Sequence, residues 1–160
     1  MPEFRLLRYG NNPHQRSAQY VAPTGSVEIL NGEPSYTNML DLLTGWQVVR
    51  DAHAVTGSIV AASMKHCVPV GVALPGRLDP FTRALLDAGE VEPITSAYLR
   101  ARSSDWGAAY GDAVVVFGTV TDELGSVLAR LVSDAIVAAD YTDGALRTLA
   151  RKRKGSYLVV

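Results

Sequence analysis

The run Ala113-Val114-Val115-Val116-Phe117 is small or β-branched up to its aromatic end. Such a run reads as a strand. Ser58 to Met64 is a second run, near-continuously apolar. A strand without a polar face is buried on both sides. Any fold built on these runs must therefore cover its sheet from above and below.

The covering material lies between them. Met39, Leu42, Leu43, Trp46, Val49 and Ala52 recur at helical spacing. They predict a helix from about Asn38 to Val55, with Asn38 as N-cap and Gly57 just past the end. Asp79-Pro80 opens a short helix ending near Gly89, and Ser96 to Arg102 reads as another helical stretch. Thr121 caps a helix to about Val132, with Asp122 and Glu123 favourably placed in its first turn. Thr142 caps a last helix to about Lys154, ended by Gly155. Shorter strands are expected at Val27–Leu30 (closed by the Asn31-Gly32 turn), at Ala135–Ala138 and from Ser156 to Val160. The alternation predicts one α/β layered domain over residues 1–160, with a substantially parallel sheet. Ligands of such sheets bind beyond the carboxyl ends of strands, and Lys65-His66 follows one such end. The last strand leaves an edge to be paired or covered.

Composition narrows the partners. Hydrophobic residues make up 48% and charged residues 19%, as in a globular chain. The net charge of −1 favours neither nucleic acid nor an anionic membrane. The basic run Arg151-Lys152-Arg153-Lys154 fits the C-terminal end of a helix, where cations meet the negative dipole end. Cys67 is the single cysteine, so no internal disulfide or cysteine metal cluster forms. The first residues lack a basic-then-apolar leader pattern, and no apolar run approaches the ~20 residues of a membrane span. A cytoplasmic protein without membrane or nucleic-acid partners is expected.

Four segments offer chemistry. Lys65-His66 puts a cation beside a side chain that titrates near neutral pH and can act as a base. In a regular strand the two would face opposite ways, so both serve one site only if the backbone turns there. Pro69 and Gly71 supply irregularity shortly after. A surface lysine beside a structural histidine is the plainer alternative. Leu7-Arg8-Tyr9-Gly10-Asn11-Asn12-Pro13-His14-Gln15 is a loop rich in donors, and the Arg8 fork suits phosphate or carboxylate. It equally suits a loop that hydrogen-bonds to itself. Tyr110-Gly111-Asp112 is either a turn or a place where a ligand approaches the backbone. Ser133-Asp134 offers a carboxylate to ribose hydroxyls, or simply a turn. The sequence contains neither G-x-x-x-x-G-K-[ST] nor G-x-G-x-x-G, and no G-x-S-x-G elbow. His14, His53 and His66 show no metal-ligand spacing with each other or with Cys67.

Taken in order, these segments resemble the AICAR transformylase domain of the bifunctional purine-biosynthesis enzyme family. The resemblance is carried by the loop from Leu7 to Gln15, by Leu30-Asn31-Gly32 and by Asn38-Met39-Leu40-Asp41. Lys65-His66-Cys67-Val68-Pro69-Val70-Gly71 matches a Lys-His-x-x-Pro-x-Gly signature. Ser96-Ala97-Tyr98 with Arg100 and Arg102, Tyr110-Gly111-Asp112, Val132-Ser133-Asp134 and Lys154-Gly155-x-Tyr157 follow in register.

The resemblance implies formyl transfer from 10-formyltetrahydrofolate to the amine of AICAR. It implies a cytidine-deaminase-like layered α/β/α fold without zinc. By the same likeness His66 would be the proton acceptor and Lys65 the stabiliser of the transition state. Arg8, Tyr9, Asn38, Gly111 and Asp134 would bind the purine nucleotide. The family's domain is built from two similar halves, and this sequence is similar to the first. An asparagine, phenylalanine-containing folate contacts and a distal arginine belong to the other. A composite site is therefore expected, in a homo-oligomer or with a second-half protein. A repurposed stand-alone enzyme using Lys65-His66, or a non-catalytic nucleotide-binding subunit, are the alternatives.

Overall fold

A computed structural model describes residues 4–21, 26–87 and 89–160. β1 (Phe4–Leu6) and β2 (Gln19–Val21) pair antiparallel as a small separate ribbon. α1 (Tyr36–Thr56) follows. Next come β3 (Val60–Lys65), β4 (Val68–Ala73), α2 (Pro80–Leu86), α3 (Pro93–Arg102) and β5 (Asp112–Val120). The chain continues through α4 (Asp122–Arg130), β6 (Ser133–Tyr141), α5 (Asp143–Arg151), a 3₁₀ turn (Lys152–Gly155) and β7 (Leu158–Val159).

Among the described residues, the main sheet has the order β4-β3-β5-β6-β7. Its two faces are covered separately. Val60, Ala62, Met64, Ala113 and Val115 pack with Leu42 and Val49 of α1. Their strand neighbours Ala61, Val114 and Val116 point the other way, into a cluster with Tyr98, Leu99, Leu124, Leu128 and Leu149 of α3, α4 and α5. This is period-2 alternation inside an all-apolar strand, so the expected α/β layering holds. Gly45 lets α1 lie close: a Cβ there would meet the Val115 side chain at 2.6 Å and Met64 Cγ at 2.8 Å.

The sheet is mixed rather than mostly parallel. β3 pairs antiparallel with both β4 and β5, whereas β5–β6 and β6–β7 are parallel. The difference arises at residues 66–67. There the chain reverses and returns as β4, a strand that Pro69 and Gly71 concealed. Pro69 is tolerated because β4 is an edge strand. A bulge between Ser63 and Met64 absorbs the register shift.

Four of the helix starts follow cap chemistry, whereas α3 begins at Pro93 without a side-chain cap. Thr121 and Thr142 accept from the Leu124 and Ala145 amides. Asp79 caps α2 by accepting from the Thr82 amide. The cap of α1 is Ser35 rather than Asn38. Ser35 Oγ accepts from the Asn38 amide and donates to Asn38 Oδ1 at 2.7 Å, a reciprocal arrangement in the third helical residue. Val27–Leu30 forms no strand. An isolated bridge between Asn31 and Val159 ties its end to the sheet edge, with the Leu30 amide also donating to the Val159 carbonyl and the Asn31 side chain to the Tyr157 carbonyl.

Candidate active site

Lys65 ends β3 at one edge of the sheet. Because β3 and β5 are antiparallel, β5 begins there, with Met64 opposite Ala113. β6 and β7 run parallel to β5, so their first residues lie at this edge too. The expected carboxyl-end position is thus true of β3 alone. The site edge is otherwise made of strand beginnings and the turns that precede them.

His66 and Cys67 form the two-residue turn between Lys65 and Val68, which are paired. Both have left-handed backbone, with φ of 52° and 63°. Two positive φ values in a two-residue loop are the pattern of a type I′ hairpin. The backbone therefore turns at His66 itself, which is the condition for Lys65 and His66 to act together. His66 is exposed. The Cys67 amide donates to Asp41 Oδ1 of α1 at 2.6 Å.

Lys65 Nζ donates to the Gly111 carbonyl at 2.9 Å. Gly111 has φ of 70°, and its amide donates to the Val132 carbonyl at 3.1 Å. A Cβ on Gly111 would lie 3.4 Å from Lys65 Nζ and 3.6 Å from Asp134 Oδ2. Ammonium, bare backbone and carboxylate therefore flank one small volume. Asp134 Oδ1 also pairs with Arg153 at 2.9 Å, both side chains about half exposed.

The sequence marks Arg153 only as a helix-end cation. Instead the helix has stopped: Arg153 and Lys154 are both left-handed, with φ of 52° and 57°. The neighbouring Lys152 does cap a helix, but a different one. It donates to the Leu128 and Leu131 carbonyls at the end of α4 and to Ser133 Oγ. Burial lowers its pKa to about 8, so it stays protonated at neutral pH.

A buried polar network underlies this edge. Asp112 accepts from Arg102 at 2.6 Å, from Ser63 Oγ at 2.6 Å and from Tyr98 OH at 3.2 Å. Arg102 reaches on to the Val132 carbonyl, which also receives the Gly111 amide. Burial pushes the Asp112 carboxyl up, and the Arg102 guanidinium and Ser63 hydroxyl pull against it. Arg102 and Asp112 stand in segments that the sequence already marks, but their pairing is visible only in three dimensions.

The other expected nucleotide contacts are held by different partners. The Arg8 amide donates to the Pro34 carbonyl, which ties that loop to the start of α1. Its far end closes on itself through Asn12 and Gln15. Arg8 is exposed, and its guanidinium lies 5.6 Å from the Tyr9 ring centre. Among the described residues, no hydrogen bond or ion pair joins Arg8, Tyr9 or Asn38 to Lys65, Gly111 or Asp134. No group of three His, Cys, Asp or Glu able to hold a metal occurs among them. An apolar groove of about 380 Å³, lined in part by Leu43, Trp46 and Leu146, sits at the far end of β6 around Asp140.

A family model described as AICARFT/IMPCHase bienzyme matches residues 2–160. The chain belongs to that family. Membership places it in purine biosynthesis and supports the motif likeness along the whole sequence. Among the described residues, no helix is long and apolar enough to cross a membrane.

Proposed function

We propose that this chain supplies the nucleotide-holding and proton-accepting part of a formyl-transfer site. The substrates are AICAR and 10-formyltetrahydrofolate, and the rest of the site comes from outside residues 1–160. The reading is carried by one observation: Lys65 Nζ, the Gly111 backbone and the Asp134 carboxylate meet beside the His66 turn. We also read the layered sheet as cytidine-deaminase-like and zinc-free, on the family resemblance together with its α/β/α layers.

The chemistry assigns each group a task. The AICAR amine is conjugated with its ring and carboxamide, so it is a weak nucleophile. As its nitrogen bonds to the formyl carbon, His66 takes the proton it sheds, a role worth on the order of 10²–10⁴-fold. The carbonyl π electrons move to oxygen. Lys65 meets that developing charge from a half-buried position, where a fixed cation is worth more than in water. Collapse breaks the bond to the folate nitrogen, which leaves with a proton. Asp134 accepts from ribose hydroxyls, and Gly111 keeps the backbone open to the ligand. Arg8 and Tyr9, held at the start of α1, contact the nucleotide. The folate contacts would come from residues outside this segment, in the second half of the domain or in a partner copy of an oligomer.

The test combines the chain with a protein carrying the remaining residues and follows formyl transfer to AICAR. Product is expected from the mixture. A stable complex without transfer contradicts the reading. Ring closure of supplied formyl-AICAR to IMP in its place would point to the family's cyclohydrolase chemistry.

A further inference from the structure

The His66-Cys67 turn is costly in its own right. Type I′ loops favour Asn-Gly, because both central residues need positive φ. Here neither residue is glycine, asparagine or aspartate, and both are left-handed. Such backbone persists only where the surroundings over-determine it. The hairpin ladder fixes the turn's ends through the Lys65–Val68 pair. Within the turn, one further restraint comes from another element: the 2.6 Å hydrogen bond from the Cys67 amide to Asp41 Oδ1.

Asp41 is well placed to hold it. It lies in the second turn of α1, whose start is fixed by the Ser35–Asn38 exchange. One helical turn further on, Gly45 lets α1 press on Met64, the residue before Lys65. α1 therefore grips the same short stretch of β3 and its turn at two points. A carboxylate accepting a backbone amide is among the stronger hydrogen bonds.

We propose that Asp41 is a positioning residue: it clamps the Cys67 amide, holds the turn left-handed and so sets the place of His66 relative to Lys65. The inference deepens the formyl-transfer reading and rests on it for its consequence, though the clamp itself can be judged separately.

Three variants test it: Asp41→Ala, Asp41→Asn and Asp41→Ala with Cys67→Gly. Asp41→Asn keeps an acceptor oxygen. Glycine at 67 makes the left-handed backbone intrinsically easy without restoring the hydrogen bond. Hydrogen exchange on the chain alone should show the Cys67 amide at least roughly tenfold faster in Asp41→Ala, the loss expected for one charge-assisted bond. In the completed enzyme, kcat should fall roughly tenfold or more in Asp41→Ala while the KM for AICAR stays within about twofold. Asp41→Asn should retain most of both. The double variant should recover kcat while its Cys67 amide still exchanges fast. That split separates positioning from simple stabilisation. Unchanged exchange in Asp41→Ala overturns the clamp. Unchanged kcat, or no recovery in a double variant that melts like wild type, overturns the positioning role. If the wild-type assembly transfers no formyl group, the functional reading fails and the exchange result alone decides the clamp.

Discussion

The ammonium of Lys65 reaches 2.9 Å to the carbonyl of Gly111, joining the last residue of β3 to the turn that starts β5. The glycine matters on both counts of φ and space. A methyl group there would sit at ordinary contact distance from Lys65 Nζ and Asp134 Oδ2, filling the volume between them. Gly111→Ala should therefore destabilise the fold by about 1 kcal/mol through its positive φ. It should weaken AICAR binding more than that strain explains. Thermal melting and calorimetry with AICAR check the two effects.

Asp134 and Arg153 pair at the surface, with side chains 44% and 51% exposed. Exposed pairs of this kind contribute about 0–1 kcal/mol. Arg153→Ala should leave the melting temperature nearly unchanged. Asp134→Ala should cost AICAR roughly tenfold in affinity, the worth of a charge-assisted hydrogen bond to ribose. The free base without ribose should bind both forms alike. Equal losses for nucleotide and base would remove the ribose role.

Arg102 and Asp112 form a buried pair, 4% and 0% exposed in their side chains. Removing one partner strands the other charge. Arg102→Met should lower stability by about 3–5 kcal/mol. Asp112→Asn added to it should cost less than the sum of the single changes, since the two residues share one network. Denaturant unfolding of the three variants measures this, and simple additivity would contradict the coupling.

Stability should also pass through an alkaline maximum. Lys152 has a folded pKa of about 8, below its ordinary 10.5. Between those values the unfolded chain holds a proton that the folded chain has released, so stability rises with pH. Burial, in contrast, holds Tyr98, Tyr141 and Tyr157 above their usual 10. Above pH ~10 the unfolded chain sheds tyrosine protons that the folded chain keeps, and stability falls. The loss is about 1.4 kcal/mol per pH unit for each tyrosine. Urea midpoints from pH 8 to 11.5 should rise and then drop, and Lys152→Met should flatten the rise.

The sequence is most readable where structure is local. Thr121 and Thr142 announce their helices because the cap oxygen and the amide it accepts are three residues apart. The apolar runs announce β3 and β5 because burial on both faces leaves few polar positions, Ser63 and Asp112 being bonded to each other. What stays hidden depends on partners far along the chain. β4 is disguised by Pro69, tolerated because the strand ends up at an edge, and by Gly71, where a Cβ would collide with the Ala101 carbonyl at the end of α3. Its reversal through His66-Cys67 makes the sheet mixed, and no Asn-Gly pair signals that turn. Ser35 displaces Asn38 as cap because the helix begins earlier than its apolar stripe. Lys65, Gly111 and Asp134 are recognisable as motif residues, and the structure shows them together. Asp41 and Arg153 owe their roles to contacts across 26 and 19 residues, which no local pattern carries.

In the proposed reaction Lys65 and His66 act as a pair. The most direct measurement is transfer of labelled formyl from 10-formyltetrahydrofolate to AICAR by the completed enzyme, comparing wild type with His66→Ala and Lys65→Ala. Each variant should keep its fold and bind AICAR, yet transfer at least about 100-fold more slowly. Transfer at the wild-type rate by either folded variant would contradict the central claim.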